Sequence, residues 1–378
     1  MSDHALLSAS SSQRWLKCPP SVRLCESYPD KGSDYSAEGT DAHSLCEFRV
    51  KQALGIAAED PTENLSYYSE EMEDGAAGYA AYVMELLEAA KKECADPVVL
   101  TEQHLDLSRF VREAFGTADC IIAADGTLHI VDYKFGRGIL VEAEGNPQLR
   151  LYALGSLDIF DGIYDISKVS MTIFQPRRSN ISTCTMSKDE LYRWAEETLK
   201  PAADLAFAGG GEFNCGEWCQ FCKAKSDCRE RAEYNMELAR YDFQLPPLLT
   251  DEEVEDILSR ADELVSWVND LKDYALQSAL SGKEWSGWKL VEGRSNRKYT
   301  NEAAVADAVT AAGFDPYEHK VLSVTAMTSL LGKKRFNDIL SGYIEKPQGK
   351  PTLVPESDKR PAINTAKQDF SENYKEDN

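Results

Sequence analysis

No apolar run in this chain approaches the roughly 20 residues that a bilayer span requires, and its opening residues, Met1-Ser2-Asp3-His4, are polar. Neither a membrane span nor a secretory leader is expected, which leaves a soluble, cytoplasmic protein. Positive charge is scarce: 41 Lys and Arg stand against 64 Asp and Glu, for a net charge of −23. That balance argues against a broad nucleic-acid-binding face but leaves room for a local basic groove. Internal repeats are missing, and cysteine is missing from everything after Cys228. What is present excludes other classes. At 378 residues, 43% hydrophobic and 10% aromatic, the chain can build a sizeable core and is neither disordered nor fibrous. Ten cysteines without a leader suggest a reducing compartment, where clustered thiols bind metal more often than they pair.

The cysteines divide the chain. Cys215, Cys219, Cys222 and Cys228 fall within fourteen residues, and Cys18 sits far upstream beside Pro19-Pro20. This pattern predicts a first domain over 1–235, a mostly helical unit over 236–346 and a flexible polar tail over 347–378. In the first domain a helix is expected near 36–55, then an acidic segment with a second helix, holding eleven Asp and Glu between Glu59 and Asp96. Strands are predicted at 97–105, 116–124, 127–135 and 168–175. Asn146-Pro147 reads as an N-cap followed by proline at the first helical position. Ser187-Lys188-Asp189-Glu190 and Thr250-Asp251-Glu252-Glu253 read as capping boxes opening helices to about 208 and 280, the first stopped by Gly209-Gly210-Gly211. Further on, a strand is expected at 288–291 and helices near 301–312 and 325–341. The fold class is mixed α/β.

The most informative stretch runs from Gly116 to Lys134. Asp125-Gly126 between two apolar runs signals a two-residue hairpin. Pairing Ala124 with Thr127 and counting outward sets Asp119 opposite Asp132, with Cβ atoms about 4.5–5.5 Å apart. Ile121, Ala123, Leu128 and Ile130 share that face as core material, and Lys134 projects on the same side. Two carboxylates this close repel unless they are neutralised. A divalent cation with oxygen ligands, Mg²⁺ or Mn²⁺, would do so. So would an ion pair with Lys134 as a purely structural feature.

Asp119 followed by Asp132-Tyr133-Lys134 resembles the Asp…(Asp/Glu)-x-Lys core of the PD-(D/E)XK nuclease superfamily. Gly39-Thr40-Asp41-Ala42-His43 is similar to the Gly-x-x-x-His helix of its RecB-like branch, and Gln148-Leu149-Arg150-Leu151-Tyr152 to that branch's Gln-x-x-x-Tyr helix. Glu102 stands where some relatives carry a further acidic residue. The resemblance covers about 1–235. It implies a restriction-endonuclease-like core, a mixed sheet flanked by helices, and hydrolysis of DNA phosphodiesters. His43, Asp119, Asp132 and the Tyr133 carbonyl would hold one or two Mg²⁺ or Mn²⁺ ions. Lys134 would orient water, and Gln148 and Tyr152 would position the strand.

Cys18 with Cys219-x2-Cys222-x5-Cys228 can hold structural zinc or an iron–sulfur cluster. The spacing resembles the [4Fe–4S] staple of AddB and of CRISPR-adaptation RecB-like exonucleases, with Cys215 as a fifth thiol that could replace one of the four ligands. The resemblance implies DNA as partner, with single-stranded regions or ends. The whole chain is similar to phage and prophage proteins of unassigned function. That implies a role in recombination or replication in a bacterial host's cytoplasm, beside a single-strand annealing or replication protein. An exonuclease is the leading expectation. A structure-specific endonuclease and a non-cleaving scaffold subunit are the alternatives. Lys289, Arg294, Arg297 and Lys298, or Lys333-Lys334-Arg335, are candidate DNA-steering patches or ordinary solvated surface.

Overall fold

The computed structural model describes residues 5–29, 34–237, 249–291 and 301–317, with shorter stretches between 321 and 344. It divides into two compact units, Met1–Ser281 and Gly282–Asn378. The first opens with short helices α1 (Ser12–Lys17) and α2 (Ser21–Glu26), then the long helices α3 (Asp34–Ala53) and α4 (Glu70–Ala90). Strands β1 (Val98–Asp106), β2 (Phe115–Ala123) and β3 (Gly126–Tyr133) follow, then α5 (Pro147–Phe160), β4 (Ile166–Gln175) and β5 (Asn180–Ser187). Helices α6 (Lys188–Trp194), α7 (Lys200–Ala208), α8 (Arg229–Met236) and α9 (Asp251–Leu280) complete it. The second unit contributes α10 (Glu302–Ala311). None of the described helices is long and apolar enough to cross a membrane.

The five strands form one sheet in chain order. β1, β2 and β3 are antiparallel neighbours, β3 and β4 run parallel, and β5 returns antiparallel to β4. The parallel step needs a crossover, and α5 supplies it. Cys120, Ile121, Ile122 and Ala123 are buried in succession, as are Ile130 to Tyr133. Consecutive burial marks strands covered on both faces. On one face α4 presents Met72, Ala76, Tyr79, Ala80, Val83 and Leu87 at helical spacing, and Tyr79 donates its hydroxyl to the Val131 carbonyl at 3.0 Å. On the other lies α5, with Leu149, Tyr152, Ala153 and Leu157 buried.

Mixed α/β architecture is what the sequence led us to expect, and so are most element positions. Three differ. β5, Asn-Ile-Ser-Thr-Cys-Thr-Met-Ser, is an edge strand rich in small polar residues, exposed at Ile181, Thr183 and Thr185, so its composition reads as loop. The helix expected over 188–208 is interrupted by a π turn at Ala195–Leu199, just before Pro201, whose missing N–H cannot continue the α ladder. At 288–291 no strand is described, and the Trp288 side chain is 83% exposed. Gly209 does end α7, in the left-handed conformation with φ 72°. Of the helix expected over 325–341, residues 327, 331–332, 335–336 and 338–340 are described as helical, and the tail over 347–378 lies outside the described residues.

The division between units falls after Ser281, not near 235, because α9 is tied to the segment before it. Arg231, buried in α8, donates to Asp270 at 2.6 Å, and Lys225 pairs with the same carboxylate at 2.8 Å. Arg260 pairs with Glu237 at 3.1 Å. The chain's early residues are bound to late ones as well. Arg23 Nε donates to the Phe207 carbonyl at 2.8 Å, and Tyr28 donates to Asp227 at 2.8 Å.

α5 begins where its sequence says it should. The Asn146 side chain accepts from the Gln148 and Leu149 amides at 3.0 and 3.3 Å, with Pro147 next. Asn146→Ala should cost about 1 kcal/mol, lowering the thermal midpoint by about 2–4 °C. A scan that shows no shift would mean the cap does not hold this helix.

Candidate active site

The hairpin places the site. Cys120 pairs with Val131, Ile121 with Ile130, Ile122 with His129 and Ala123 with Leu128. This is the register read from Asp125-Gly126. Gly126 takes φ 79°, a conformation that favours glycine. The turn is anchored to the next strand: Asp125 Oδ1 accepts from the Asp165 amide at 2.9 Å, and the Gly126 amide donates to the Asp165 carbonyl at 2.8 Å. One step outward from the Cys120–Val131 pair, Asp119 comes opposite Asp132. On the other side of β2, Thr101 pairs with Cys120 and Gln103 with Ala118, so Glu102 comes opposite Asp119. Three neighbouring strands thus carry three carboxylates in one row.

The side chains of the candidate catalytic residues His43, Glu102, Asp119, Asp132, Lys134, Gln148 and Tyr152 converge on that row. His43, from α3, sets Nδ1 3.2 Å from Asp119 Oδ1 and 3.8 Å from Glu102 Oε1. Lys134 Nζ lies 2.9 Å from Asp132 Oδ2 and donates to Gln148 Oε1 at 3.2 Å. Gln148 Nε2 donates to Asp132 Oδ1 at 3.3 Å and to the Tyr152 hydroxyl at 3.0 Å. The i,i+4 spacing on α5 is what lets Gln148 and Tyr152 meet. Tyr133 contributes its amide, which donates to Asp119 Oδ2 at 2.7 Å, while its ring packs edge-on to His43 at 5.8 Å between centroids. Gly116 leaves room for Tyr152: a Cβ there would stand 2.9 Å from the tyrosine ring. Arg150 points elsewhere, over the Trp194 ring at 5.1 Å.

Charge in this cleft is crowded and unequal. Burial by itself would push the His43 imidazolium down, but the Asp119 carboxylate outweighs it and holds the group up at about 10. Burial pushes Asp119 up in turn, and His43, Lys134 and the Tyr133 amide overcome it and bring the carboxyl below its ordinary range. For Asp132 burial wins over Lys134, with Asp119 adding to it, and the carboxyl rises to about 6. Three carboxylates face two cations. Among the described residues, His43, Glu102 and Asp119 are the one group of three whose metal-competent atoms lie within 4.8 Å of one another. A hard divalent cation fits such oxygen-rich donors. Glu102 also has φ 47°, a left-handed backbone that costs a non-glycine residue about 1–3 kcal/mol and clusters at functional sites.

A second cluster lies where α1 and α2 meet the 213–231 segment. Cys18, Cys215, Cys219, Cys222 and Cys228 line one cavity together with Arg14, Lys225 and Arg231. Cys25, which the spacing did not single out, touches Cys222 at 3.6 Å between sulfurs and accepts from Arg14 Nη1 at 3.2 Å. Cys215 and Cys219 are 3.8 Å apart. Each close pair favours one thiolate beside one thiol: contact with Cys222 holds Cys25 down to about 6, and contact with Cys215 holds Cys219 down to about 7. Of the candidate steering patches, Lys289 and Arg335 are exposed, and Arg294, Arg297, Lys298, Lys333 and Lys334 lie outside the described residues. Part of the acidic 59–96 segment is spent internally, with Glu73 pairing with Arg49 and Glu71 with Arg137 and Arg177.

The His43–Asp119 pair gives the metal-free protein a defined pH response. A histidine whose folded pKa is raised contributes stability that is complete below its unfolded value of about 6.5 and lost as pH rises through about 10. Urea midpoints should therefore fall between pH 7 and 10, and His43→Gln should flatten that slope. An equal slope in the variant would remove His43 as its source.

Among solved structures, the crystal structure of SSO0001 is similar over 51% of this chain and 98% of its own, at 14% identity and a TM-score of 0.22. A family model described as "Protein of unknown function (DUF2800)" matches residues 4–361. With nearly its whole length matched, this chain belongs to the DUF2800 family.

Proposed function

We propose that the protein is a Mg²⁺- or Mn²⁺-dependent deoxyribonuclease of PD-(D/E)XK type, RecB-like, acting as an exonuclease. One observation carries the reading: the cross-strand row Glu102–Asp119–Asp132, completed by His43 at one end and Lys134 at the other. A structural ion pair needs one carboxylate for Lys134. This site gathers two more and positions a histidine against them, and the excess negative charge is what a divalent cation would satisfy.

In this reading His43, Glu102, Asp119, Asp132 and the Tyr133 carbonyl would hold the cation, which when bound would act as a Lewis acid, lowering the pKa of a water and offsetting charge on phosphate oxygens. Lys134, 2.9 Å from Asp132, orients the attacking water and faces the developing charge. Gln148 bridges Asp132 and Tyr152, so the two side chains from α5 move as one when they position the strand. A ligating imidazole is neutral, so His43 would hold a cation as the free base.

The cysteine cavity suits a [4Fe–4S] cluster held by Cys18, Cys219, Cys222 and Cys228. Arg14 lines the same cavity and would offset part of the charge of four thiolates, while Lys225 and Arg231, also in its lining, are paired with Asp270. Its role is structural: it fastens the first 28 residues to the 215–228 segment and closes a loop of roughly two hundred residues, with the entropic benefit of a disulfide. DNA with single-stranded regions or ends is the proposed substrate. A phage recombination or replication pathway, in the cytoplasm of a bacterial host, is the proposed setting, with a single-strand annealing protein as companion.

Incubation with linear and closed circular DNA in Mg²⁺ or Mn²⁺ tests this. Linear DNA should be degraded and closed circles spared. Asp132→Asn should lower the rate about 10²-fold or more with an unchanged far-ultraviolet spectrum. Full activity in Asp132→Asn would overturn the site assignment. Cutting of closed circles would select an endonuclease, and an inert wild type on every substrate a non-cleaving subunit.

A further inference from the structure

Six of the ten cysteines converge on one place, although a four-iron cubane takes four thiolates, one at each iron. Their spacing is uneven. Cys25 and Cys222 touch at 3.6 Å and Cys215 and Cys219 at 3.8 Å. Among the described residues no sulfur contact of this kind joins Cys18 or Cys228. Cys18 Sγ instead accepts from the Asn214 amide at 3.4 Å, and both thiols line the cavity shared by Cys215, Cys219 and Cys222, which Cys25 reaches through its contact with Cys222. The six are therefore two touching pairs and two single thiols.

That arrangement distinguishes two metal sites. One tetrahedral zinc draws all four of its sulfurs to about 3.8 Å from one another, given Zn–S bonds of about 2.3 Å. Among the described residues the one gathering of three or more metal-competent groups within 4.8 Å is His43, Glu102 and Asp119, so no three of these sulfurs come that close. Thiols spread around a larger group match a polynuclear cluster better. In such a cluster each thiolate goes to a different iron, and two sulfurs already in contact approach the same iron from the same side.

We propose, resting on the cluster reading above, that the six thiols form four ligand positions, two of them duplicated. Cys18 and Cys228 each fill one position. Cys25 and Cys222 are interchangeable at the third, and Cys215 and Cys219 at the fourth. In an exchange the incoming thiol loses its proton as its sulfur binds iron, the outgoing sulfur leaves as thiolate and takes up a proton, and no electron is transferred. The duplicate thiols keep the cluster attached when a single sulfur is oxidised or alkylated. Cys25 thereby becomes a ligand that the spacing of Cys18, Cys219, Cys222 and Cys228 does not predict.

The test uses the full chain purified without oxygen, with iron, acid-labile sulfide and zinc measured per chain alongside the visible absorbance. Cys25→Ser, Cys222→Ser, Cys215→Ser and Cys219→Ser should each retain the wild-type iron content. The doubles Cys25→Ser/Cys222→Ser and Cys215→Ser/Cys219→Ser, and the singles Cys18→Ser and Cys228→Ser, should lose it. Alanine versions of the four tolerated singles, checked by circular dichroism, separate lost ligation from lost folding. If any folded variant among those four loses iron as completely as Cys18→Ser, the duplication is overturned. If both doubles keep the cluster, it is overturned equally. A wild type that carries zinc, or no metal, would instead overturn the cluster reading itself and take the duplication with it.

Discussion

A single constraint orders this molecule: the register between β2 and β3, set by Asp125 and Gly126. Because successive side chains alternate between faces, a slip of one residue would turn Asp119 and Ile121 to the opposite side and leave Asp132 facing apolar packing. The turn therefore does more than join two strands. Its hydrogen bonds to Asp165 tie it to the start of β4, so the parallel crossover through α5 is seated by the same three residues. α5 in turn brings Gln148 and Tyr152 to Asp132. Register, crossover and carboxylate row form one chain of dependence.

The site stores unfavourable terms that the surrounding core must offset. Asp132 is almost wholly buried, with a side chain 2% exposed, and Glu102 holds a left-handed backbone within a strand. Neither would persist in a loosely packed fold. Here the row is flanked by Ile121, Ile130 and Leu128, all fully buried, and Tyr133, one position further on, is locked between Tyr79 and Phe174. Rigid neighbours keep the three carboxylates apart by a fixed amount, which is what preorganised recognition of a cation requires.

Much of this could be read from the residues. Asp-Gly between apolar runs, Asn-Pro at a helix start and a glutamine four residues before a tyrosine are local signals with local causes, and the structure realises them at Gly126, Asn146 and Gln148–Tyr152. Local signals did not reach three features. β5 hides because an edge strand is half solvated and reads as loop. Cys25 hides because its partner is 197 residues away and nothing in its own neighbourhood marks it. α9 belongs with the first unit because Asp270 meets Arg231 and Lys225, and an ion pair between helices leaves no trace in the spacing of either one.

The clasp between the chain's early and late segments has a consequence for how the protein is made. Arg23, Cys25 and Tyr28 find their partners at Phe207, Cys222 and Asp227. At about 5–20 residues per second, a ribosome delivers those partners roughly ten to forty seconds after α2 has emerged. The sheet, α4 and α5 can assemble in that interval, while Arg23, Cys25 and Tyr28 wait for a segment some two hundred residues downstream. The contacts of Arg23, Cys25 and Tyr28 thus form late, and a ribosome that stalls before the 207–227 segment leaves these three side chains without those partners.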